Sequence, residues 1–273
     1  MGTYTSLVSS PVVTRAYARP RAYVGVQGPD AGDLLQRVVS NDVLVADVCE
    51  ALLLTPKGRV IAPLVVWRRG HEDFLLLTEP ELGLTVRDQL VRARIASRCE
   101  IELEEHSSAI VFGEDGEGIP TRDYGVPAVE VLDAGIEALP PDEELERLRI
   151  LARTPRWGRE IDEGILPAEA GLDERAIDFE KGCYPGQEPV ARQHYRGRVN
   201  RSLRVLELEG EELPAYDAEL ELDGKVVGRV TSATHDGDGV VALGYVRVEV
   251  PRDAVLRLGT RSVAQLDSPS PRP

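Results

Sequence analysis

The chain has 273 residues, of which 42% are hydrophobic and 29% are charged, and its formal net charge is −15. These values are typical of a globular protein with two or three folding units, and they exclude wholesale disorder. A charge of this sign repels nucleic acids and anionic membrane surfaces, and no stretch of about 18 apolar residues occurs in the chain. We therefore expect neither nucleic acid nor membrane as a partner.

The cysteines and histidines do not form a framework. Cys49, Cys99 and Cys183 are odd in number and widely spaced, which is not the pattern of a disulfide-bonded domain. The four histidines are scattered and no Cys-x-x-Cys pair exists, so we predict no metal site. Residues 1–7 lack a basic start followed by an apolar run, which argues against a signal peptide. The expected location is the cytoplasm.

The first half of the chain predicts an antiparallel sheet covered by a helix. Thr55-Pro56-Lys57-Gly58 has the composition of a tight turn between two strands. Residues 114–125 are rich in glycine and acid and are expected to form a solvated loop without chemistry. The expected elements in chain order are a strand over 20–28, a helix through Leu34, Leu35, Val38 and Val39, a β-meander over 50–78, a helix over 80–94, and strands near 99–104 and 108–112.

The second half predicts a helix and then a region of short strands. Pro140-Pro141-Asp142 begins the helix, with Leu145, Leu148 and Leu151 on one face. From residue 202 the pattern changes to short alternating runs, and Asp223-Gly224 is typical of a type I′ hairpin turn. This region is therefore expected to form a small β-barrel.

Residues 181–188, here called the octet, concentrate reactive and hydrogen-bonding groups in a short stretch. Lys181 lies two residues before Cys183, where it favours the thiolate. Tyr184 offers a ring that stacks on a flat heterocycle, and Gln187 and Glu188 offer paired hydrogen bonds to an edge of alternating donors and acceptors, as in a pterin. The alternative is that the glycines and proline make a simple turn and that the cysteine is a small buried side chain.

The octet resembles the signature of the YgfZ family, the folate-binding relatives of the glycine-cleavage T-protein. The similarity extends over about residues 12–260, and the octet is its most specific part. The other matching stretches, in order, are 24–31 with Ser40-Asn41-Asp42, 54–59, 155–162, 166–172 and 227–233.

This resemblance implies an α+β, T-protein-like fold of three modules around a central hole, with an antiparallel-sheet and helix core and a C-terminal small β-barrel. It implies tetrahydrofolate or a one-carbon derivative as ligand, and a role in assembly or maintenance of iron–sulfur proteins. The expected division is a folate-binding core of residues 1–48 plus 126–197, a ferredoxin-like β-meander and helix lobe of 49–125, a barrel of 198–266 and a disordered tail of 267–273.

Cys183 is the candidate catalytic residue, whereas the other candidates are ligand-binding. Arginines in two clusters, Arg147 to Arg159 and Arg192 to Arg204, are suited to the carboxylates of a folate tail if both line one opening. The candidate folate-binding residues are Lys181, Gly182, Tyr184, Gly186, Gln187, Glu188, Arg192, Asn41, Asp42 and Trp157.

Two departures from the related aminomethyltransferases bear on activity. Those enzymes place a catalytic Asp after the hairpin at 55–59, where residues 58–64 here contain no carboxylate. After Arg149 the chain has Ile150 and Leu151 where many relatives carry a Glu. A classical aminomethyltransferase is therefore not expected. Three interpretations stay open: a folate-dependent accessory protein for iron–sulfur enzymes, a one-carbon transferase that uses another acid such as Asp42, and a non-enzymatic redox or interaction module that uses Cys183.

Overall fold

The computed structural model describes residues 15–113, 117–197 and 199–266. Over these residues the chain forms two open antiparallel sheets and a closed barrel. No helix in the described ranges is both long and apolar enough to cross a membrane. The predicted disordered tail at 267–273 lies outside the described residues.

The strands and helices follow one another along the chain in no regular order. The strands are β1 (Ala16–Ala18), β2 (Ala22–Gln27), β3 (Val48–Leu54), β4 (Val60–Gly70), β5 (Asp73–Thr78), β6 (Glu100–Glu104), β7 (Ser108–Phe112), β8 (Ile119–Thr121), β9 (Ala128–Leu132), β10 (Arg201–Leu208), β11 (Glu219–Leu222), β12 (Lys225–Asp236), β13 (Gly239–Arg247), β14 (Leu256–Leu258) and β15 (Arg261–Leu266). The helices are α1 (Ala31–Val38), α2 (Gly83–Arg94), α3 (Glu143–Leu151), α4 (Asp173–Ala176) and α5 (Gln187–Arg196), and 3-10 turns cover Pro80–Leu82 and Pro167–Glu169.

The first sheet has the strand order β3-β4-β5-β2-β6, and α1 and α2 pack on one of its faces. Leu34 and Leu35 of α1 and Leu90 of α2 are fully buried against Phe74 and neighbouring strand residues, because each helix presents one apolar stripe to the sheet. The tight turn between β3 and β4 is confirmed, with Gly58 at a φ of 73°. The predicted meander and both predicted helices are therefore present.

The second sheet has the order β1-β7-β9-β8. Its strand β8 corrects the predicted loop at 114–125, since Ile119–Thr121 is a strand and Tyr124 is buried. The physical reason is that Ile119 packs with Tyr23 and Leu75 of the first sheet, so this short strand covers apolar surface. Residues 114–116 lie outside the described part of the chain.

Helix α3 begins where the sequence predicts. The Asp142 carboxylate accepts a hydrogen bond of 2.9 Å from the Leu145 amide, which satisfies one of the free N–H groups of the first turn. Leu145 and Ile150 are buried, and the helix packs on β12 and β13. It therefore joins the second sheet to the barrel.

The C-terminal region is a closed six-stranded barrel in the order β10-β13-β12-β11-β14-β15, as the sequence predicts. Asp223 and Gly224 have φ values of 52° and 73°, as a type I′ turn requires. Inward residues such as Leu206, Leu220 and Val246 are fully buried and form the barrel core.

The two open sheets cross the predicted boundaries between modules. Strand β2, assigned to the core at 1–48, pairs with β5 and β6 of the 49–125 lobe, and β7 and β8 of that lobe pair with β9 of the 126–197 segment. Backbone pairing joins segments that are distant in sequence, which local patterns do not reveal. The strands β1 and β9 and the helix α5 were not predicted, because three to five residues show little periodicity and α5 is mostly polar.

Candidate functional site

The octet leads into α5 and packs directly against the β3–β4 turn. Gly186 precedes the helix in a left-handed conformation, with a φ of 83°. A Cβ there would lie 2.5 Å from the carbonyl oxygen of Thr55 and 3.1 Å from the Cα of Gly58. A Cβ on Gly58 would in turn meet Pro189 and Val190 at 3.2 Å. The two glycines are therefore required for close backbone approach between segments distant in sequence.

The Lys181 side chain is buried and bridges to the loop after α1. Its ammonium donates hydrogen bonds to the carbonyl oxygens of Val39, at 2.8 Å, and Asn41, at 2.7 Å. Burial lowers the pKa of Lys181 to about 8. Lys181 and Asn41, both predicted as ligand-binding residues, are thus brought together, although their contact is to each other.

Tyr184 lies in an apolar environment with Leu54, Val60 and Ile165. Only 6% of its surface is exposed, and its hydroxyl is buried with no hydrogen-bond partner among the described residues. Burial raises the pKa of this hydroxyl to about 12. The Lys181 ammonium lies 5.6 Å from the centre of the ring, which is within the range of a cation–π contact.

The remaining octet candidates and Arg192 are at or near the surface. Gly182, Cys183, Glu188 and Arg192 are exposed, and the Gln187 amide lies 3.5 Å from the Lys181 carbonyl oxygen as a long hydrogen-bond donor. Cys49 and Cys99 are less exposed than Cys183. Burial raises the pKa of the Cys49 thiol to about 11 and also raises that of Cys99.

The other predicted residues have structural contacts. Asn41 donates through its amide nitrogen to the Glu50 carbonyl oxygen at 2.7 Å. Asp42 accepts from the Leu44 amide at 2.9 Å, which shapes the loop after α1. Trp157 is half-buried and packs against both the first sheet's core and the apolar cluster around Tyr184.

A cleft lies elsewhere, between the second sheet, α3 and the barrel. It has a volume of about 530 Å³. The end of β1, the β8–β9 loop, α3, residues 154–156 and β12 all contribute walls, so parts of the chain that are far apart meet there. Neither Cys183 nor any of the ten candidate folate-binding residues is among those that line it, and their roles in ligand binding stay predictions. The polar lining residues are Arg19, Asp123, Asp142, Glu143, Glu146, Arg149, Thr154, Arg156 and Thr234.

Arg149 organises one wall of the cleft. It is buried and donates to Glu146 at 2.7 and 2.9 Å, to Glu160 at 3.2 Å and to the Thr154 carbonyl oxygen at 2.6 Å. Glu160 is itself fully buried and also accepts from the Ser232 hydroxyl at 2.6 Å. Burial works against the charge of Glu146, but the hydrogen bond and charge of Arg149 outweigh it and lower the pKa of this carboxyl.

A second ion network holds the opposite wall. Arg175 of α4 donates to Asp123 at 2.8 Å and to Glu50 of β3 at 2.7 Å. Burial raises the pKa of Asp123, but the charges of Arg175, Arg19 and Arg21 outweigh it, so the pKa of this carboxyl is lowered. Arg21 pairs with Glu130 at 2.9 Å in the same region. The cleft walls are therefore fixed by ion pairs that connect the two sheets.

Among the described side chains of the two arginine clusters predicted to line one opening, only members of the first line the cleft. Arg149 and Arg156 line the cleft, whereas Arg204 is buried and donates to the Val250 and Arg247 carbonyl oxygens, and Arg201 pairs with Glu169. At Arg201 and Arg204 the structure therefore contradicts the prediction of a single opening shared by both clusters, because strand β10 directs these two arginines to the barrel. Arg198 and the Arg196 side chain lie outside the described residues. Asp123, Tyr124 and Glu146 were missed, since they occur in stretches without a motif.

No family model matches the chain. It is 26% identical to the iron-sulfur cluster assembly factor IBA57 homolog, mitochondrial, of Pyricularia oryzae, over 87% of this chain and 72% of that protein. It is 42% identical to the tRNA-modifying protein YgfZ of Edwardsiella ictaluri, over 40% of this chain and 35% of that protein. Its structure is similar to that of the glycine cleavage system aminomethyltransferase T from Bartonella henselae, with a TM-score of 0.79 and 17% identity over 93% of this chain and 85% of the other. The chain is therefore a homologue of the YgfZ and IBA57 proteins with the fold of an aminomethyltransferase, which confirms its resemblance to the YgfZ family.

Proposed function

We propose that the chain binds tetrahydrofolate or a one-carbon derivative of it, and that this binding supports assembly or maintenance of iron–sulfur proteins. The observation that carries the proposal is the cleft of about 530 Å³ that the second sheet, α3 and the barrel enclose together. Its volume lies within the ~300 to 1,000 Å³ typical of small-molecule sites. The names of the relatives, an iron-sulfur cluster assembly factor among them, support the second half of the proposal.

The lining chemistry suits a pterin ring. Carboxylates of Asp123 and Glu146 accept hydrogen bonds, and Thr154 and Thr234 supply hydroxyls near them. Tyr124 and Leu145 provide apolar surface for the flat face of the ring. One cleft therefore offers both hydrogen-bond acceptors for the edge of a donor-rich heterocycle and apolar side chains for its face.

The same carboxylates are poorly suited to proton transfer. Ion pairing lowers the pKa of both Asp123 and Glu146, so each stays ionised near neutral pH. Residues 58–64 contain no carboxylate where the aminomethyltransferases have their catalytic Asp. Both facts favour a binding function over classical aminomethyl transfer.

One-carbon transfer is the second candidate function, and the aminomethyltransferase fold favours it. Asp42 is the acid proposed for it, although its carboxylate accepts from the Leu44 amide and does not line the cleft. Release of methylene-tetrahydrofolate from an aminomethyl donor would support transfer. Folate binding without such release would support the binding function and contradict one-carbon transfer.

Titration calorimetry with a reduced folate tests the proposal directly. We expect saturable binding in the micromolar range, or about −8 kcal/mol. Leu213→Trp adds bulk at the cleft wall, on a side chain that is 43% exposed, and should weaken binding at least tenfold without changing the melting temperature. Leu84→Trp is the matched control, because Leu84 is similarly exposed but lies on α2.

Glu188→Ala distinguishes the cleft from the octet as the folate site. Loss of affinity in Leu213→Trp alone would assign the ligand to the cleft, whereas loss in Glu188→Ala alone would assign it to the octet. Absence of saturable binding by the unmodified protein would overturn the proposed function. The iron–sulfur role is tested in cells that lack the protein, where iron–sulfur enzyme activity should fall and return with the wild-type chain but not with the non-binding variant.

A further inference from the structure

A second recess, here called the hollow, lies where α4, α5 and the barrel meet. It has a volume of about 450 Å³, within the ~300 to 1,000 Å³ typical of small-molecule sites. Its walls come from the 3-10 turn at Pro167–Glu169, the start of α4, the second half of α5, β10 and the loop after β13. The hollow shares no lining residue with the cleft, so the two recesses are separate candidates for a ligand.

Arg153 reaches the hollow from a strained backbone position. It follows Ala152, the C-cap of α3, and its φ of 55° lies in the left-handed region. Helices commonly end with glycine at this position, because a side chain in this conformation crowds the backbone. An arginine there costs the fold stability, and strain of this kind is concentrated at functional sites.

The Arg153 guanidinium has no ion pair among the described residues. The side chain is half-buried, and its Nη2 atom lies beside Gly171, 3.7 Å from where a Cβ on that glycine would be. Arg252, another lining residue, is exposed and is likewise without an ion pair within the described ranges. The N–H groups of both guanidiniums are therefore available to a carboxylate, which arginine binds in bidentate fashion.

Asp173 supplies the opposite charge in the same recess. Its side chain is half-buried and has no ion pair among the described side chains. Burial raises the pKa of this carboxyl, and the neighbouring charge of Glu174 adds to the effect, although hydrogen bonds from backbone amides oppose it. The ionised form is therefore less stable here than in water, and an ammonium group bound in the hollow would stabilise it.

The charges left without a partner are balanced in sign. Glu169 also lines the hollow, but its carboxylate pairs with Arg201 at 3.3 Å. Two arginines and two acids, Asp173 and Glu174, thus stay without ion pairs in the described part of the chain. A purely anionic ligand would be repelled by the acids, and a purely cationic ligand would be repelled by the arginines. A zwitterion satisfies both.

Uncharged polar groups lie among these charges. The Gln193 amide and the Ser202 hydroxyl line the hollow, and both kinds of group donate and accept hydrogen bonds. Each peptide unit likewise carries one donor and one acceptor, so this lining suits a backbone better than a large apolar group. The apolar side chains that contribute are of small or medium size, namely Ala168, Val199, Leu203 and Val248.

We propose that the hollow is a binding site for a short peptide with both termini free, in which Arg153 binds the carboxylate and Asp173 binds the ammonium. Arg252 adds a second guanidinium for the carboxylate end, and Gln193 and Ser202 hydrogen-bond to the amide groups between the two ends. This site is independent of the proposed folate cleft, because the two recesses have no lining residue in common.

Three probes that differ only at their ends test the proposal in NMR titrations of the full chain, isotope-labelled, at about 50 mM salt to limit screening. Triglycine is a zwitterion, whereas N-acetyl-triglycine lacks the ammonium and triglycinamide lacks the carboxylate. We expect triglycine to bind with a Kd of about 1 mM or below, and each of the other two to bind about tenfold more weakly.

Arg153→Gly separates binding from folding. It removes the guanidinium and places glycine where α3 ends, so triglycine should bind about tenfold more weakly while the melting temperature rises by about 2 °C. A purely structural role for Arg153 would not move the two measurements in opposite directions. Asp173→Asn should abolish the difference in affinity between triglycine and N-acetyl-triglycine.

Arg92→Ala is the matched control, because Arg92 is an exposed arginine of α2 that does not line the hollow, and it should keep the affinity for triglycine. Leu213→Trp, which obstructs the cleft, should also keep it. Absence of saturable triglycine binding, equal affinities for the three probes, full affinity in Arg153→Gly or lost affinity in Leu213→Trp would overturn the site and leave the proposed folate binding in place. Lost affinity together with a lower melting temperature in Arg153→Gly would overturn the role of Arg153.

Discussion

The octet and the cleft are held in place by different interactions. The octet packs by close backbone approach and burial, with Gly186 against Thr55 and the Tyr184 ring among Leu54, Val60 and Ile165. The walls of the cleft are held by ion pairs, such as Arg149 with Glu146 and Arg175 with Asp123. A distinctive sequence motif therefore marks a tightly packed junction here, whereas the charged cleft has no comparable motif.

The largest effect is expected on the cleft side, at Glu160. Glu160→Ala leaves the buried Arg149 guanidinium and the Ser232 hydroxyl without one of their partners, and should lower the free energy of unfolding by about 4 kcal/mol. Urea denaturation measures the change. Glu163→Ala is the control, because Glu163 is exposed, and it should change stability by less than about 0.5 kcal/mol. Similar losses for both variants would mean that the ion network does not hold this wall.

On the octet side, Gly186→Ala should lower the free energy of unfolding by about 3 kcal/mol, since the added Cβ meets the Thr55 carbonyl oxygen at a positive φ. Gly182→Ala provides a comparison within the same octet, because a Cβ there has no neighbour within 4 Å. Thermal and urea unfolding should separate the two variants clearly. Equal stability of the two variants would show that the backbone at the β3–β4 turn shifts to accommodate the added Cβ at little cost.

The buried amine of Lys181 makes octet stability depend on pH. Its folded-state pKa of about 8 lies below the ordinary lysine value of 10.5, so the unfolded chain binds the proton more tightly and the fold gains stability as pH rises from about 8 towards 10.5. Between pH 7.5 and 9 the wild type should gain about 1 kcal/mol relative to Lys181→Met. Urea titrations of both proteins at the two pH values measure this difference. A constant difference would place the amine in a more polar environment than the contacts indicate.

The smallest effect concerns two buried tyrosine hydroxyls. Tyr184→Phe removes a hydroxyl without a partner and should stabilise the protein by up to about 1 kcal/mol, whereas Tyr245→Phe removes a donor to the Glu160 carbonyl oxygen and should destabilise it by a similar amount. Folate titration of Tyr184→Phe adds a functional measurement. Unchanged affinity would limit Tyr184 to packing, and a loss of affinity would support the predicted role in ligand binding.

The sequence predicted the elements whose signals are local. The β-meander, the turn at Gly58, the Asp142 cap and the Asp223-Gly224 hairpin each depend on neighbouring residues, and each is present. Such local signals do not predict which strands pair with β2, because its partners β5 and β6 lie about 50 and 75 residues further along the chain.

For the site, the sequence identified the arginines of α3 but not their carboxylate partners. Glu146 and Asp123 occur in ordinary acidic stretches, and only the packing of α3 on the barrel and of the β8–β9 loop beside α4 brings them to one cleft. Burial cannot be inferred for a charged residue from its neighbours, since surface acids are far more common. The octet stood out because its composition is unusual, a signal that does not depend on where its side chains point.

The mutual contact of Gly58 and Gly186 also has a consequence for folding in the cell. The β3–β4 turn is synthesised well over a hundred residues before the segment that covers it. Until then Leu54 and Val60, which pack with the Tyr184 cluster, have no apolar cover on that side. A nascent chain therefore lacks this apolar cover for several seconds of translation at about 5 to 20 residues per second.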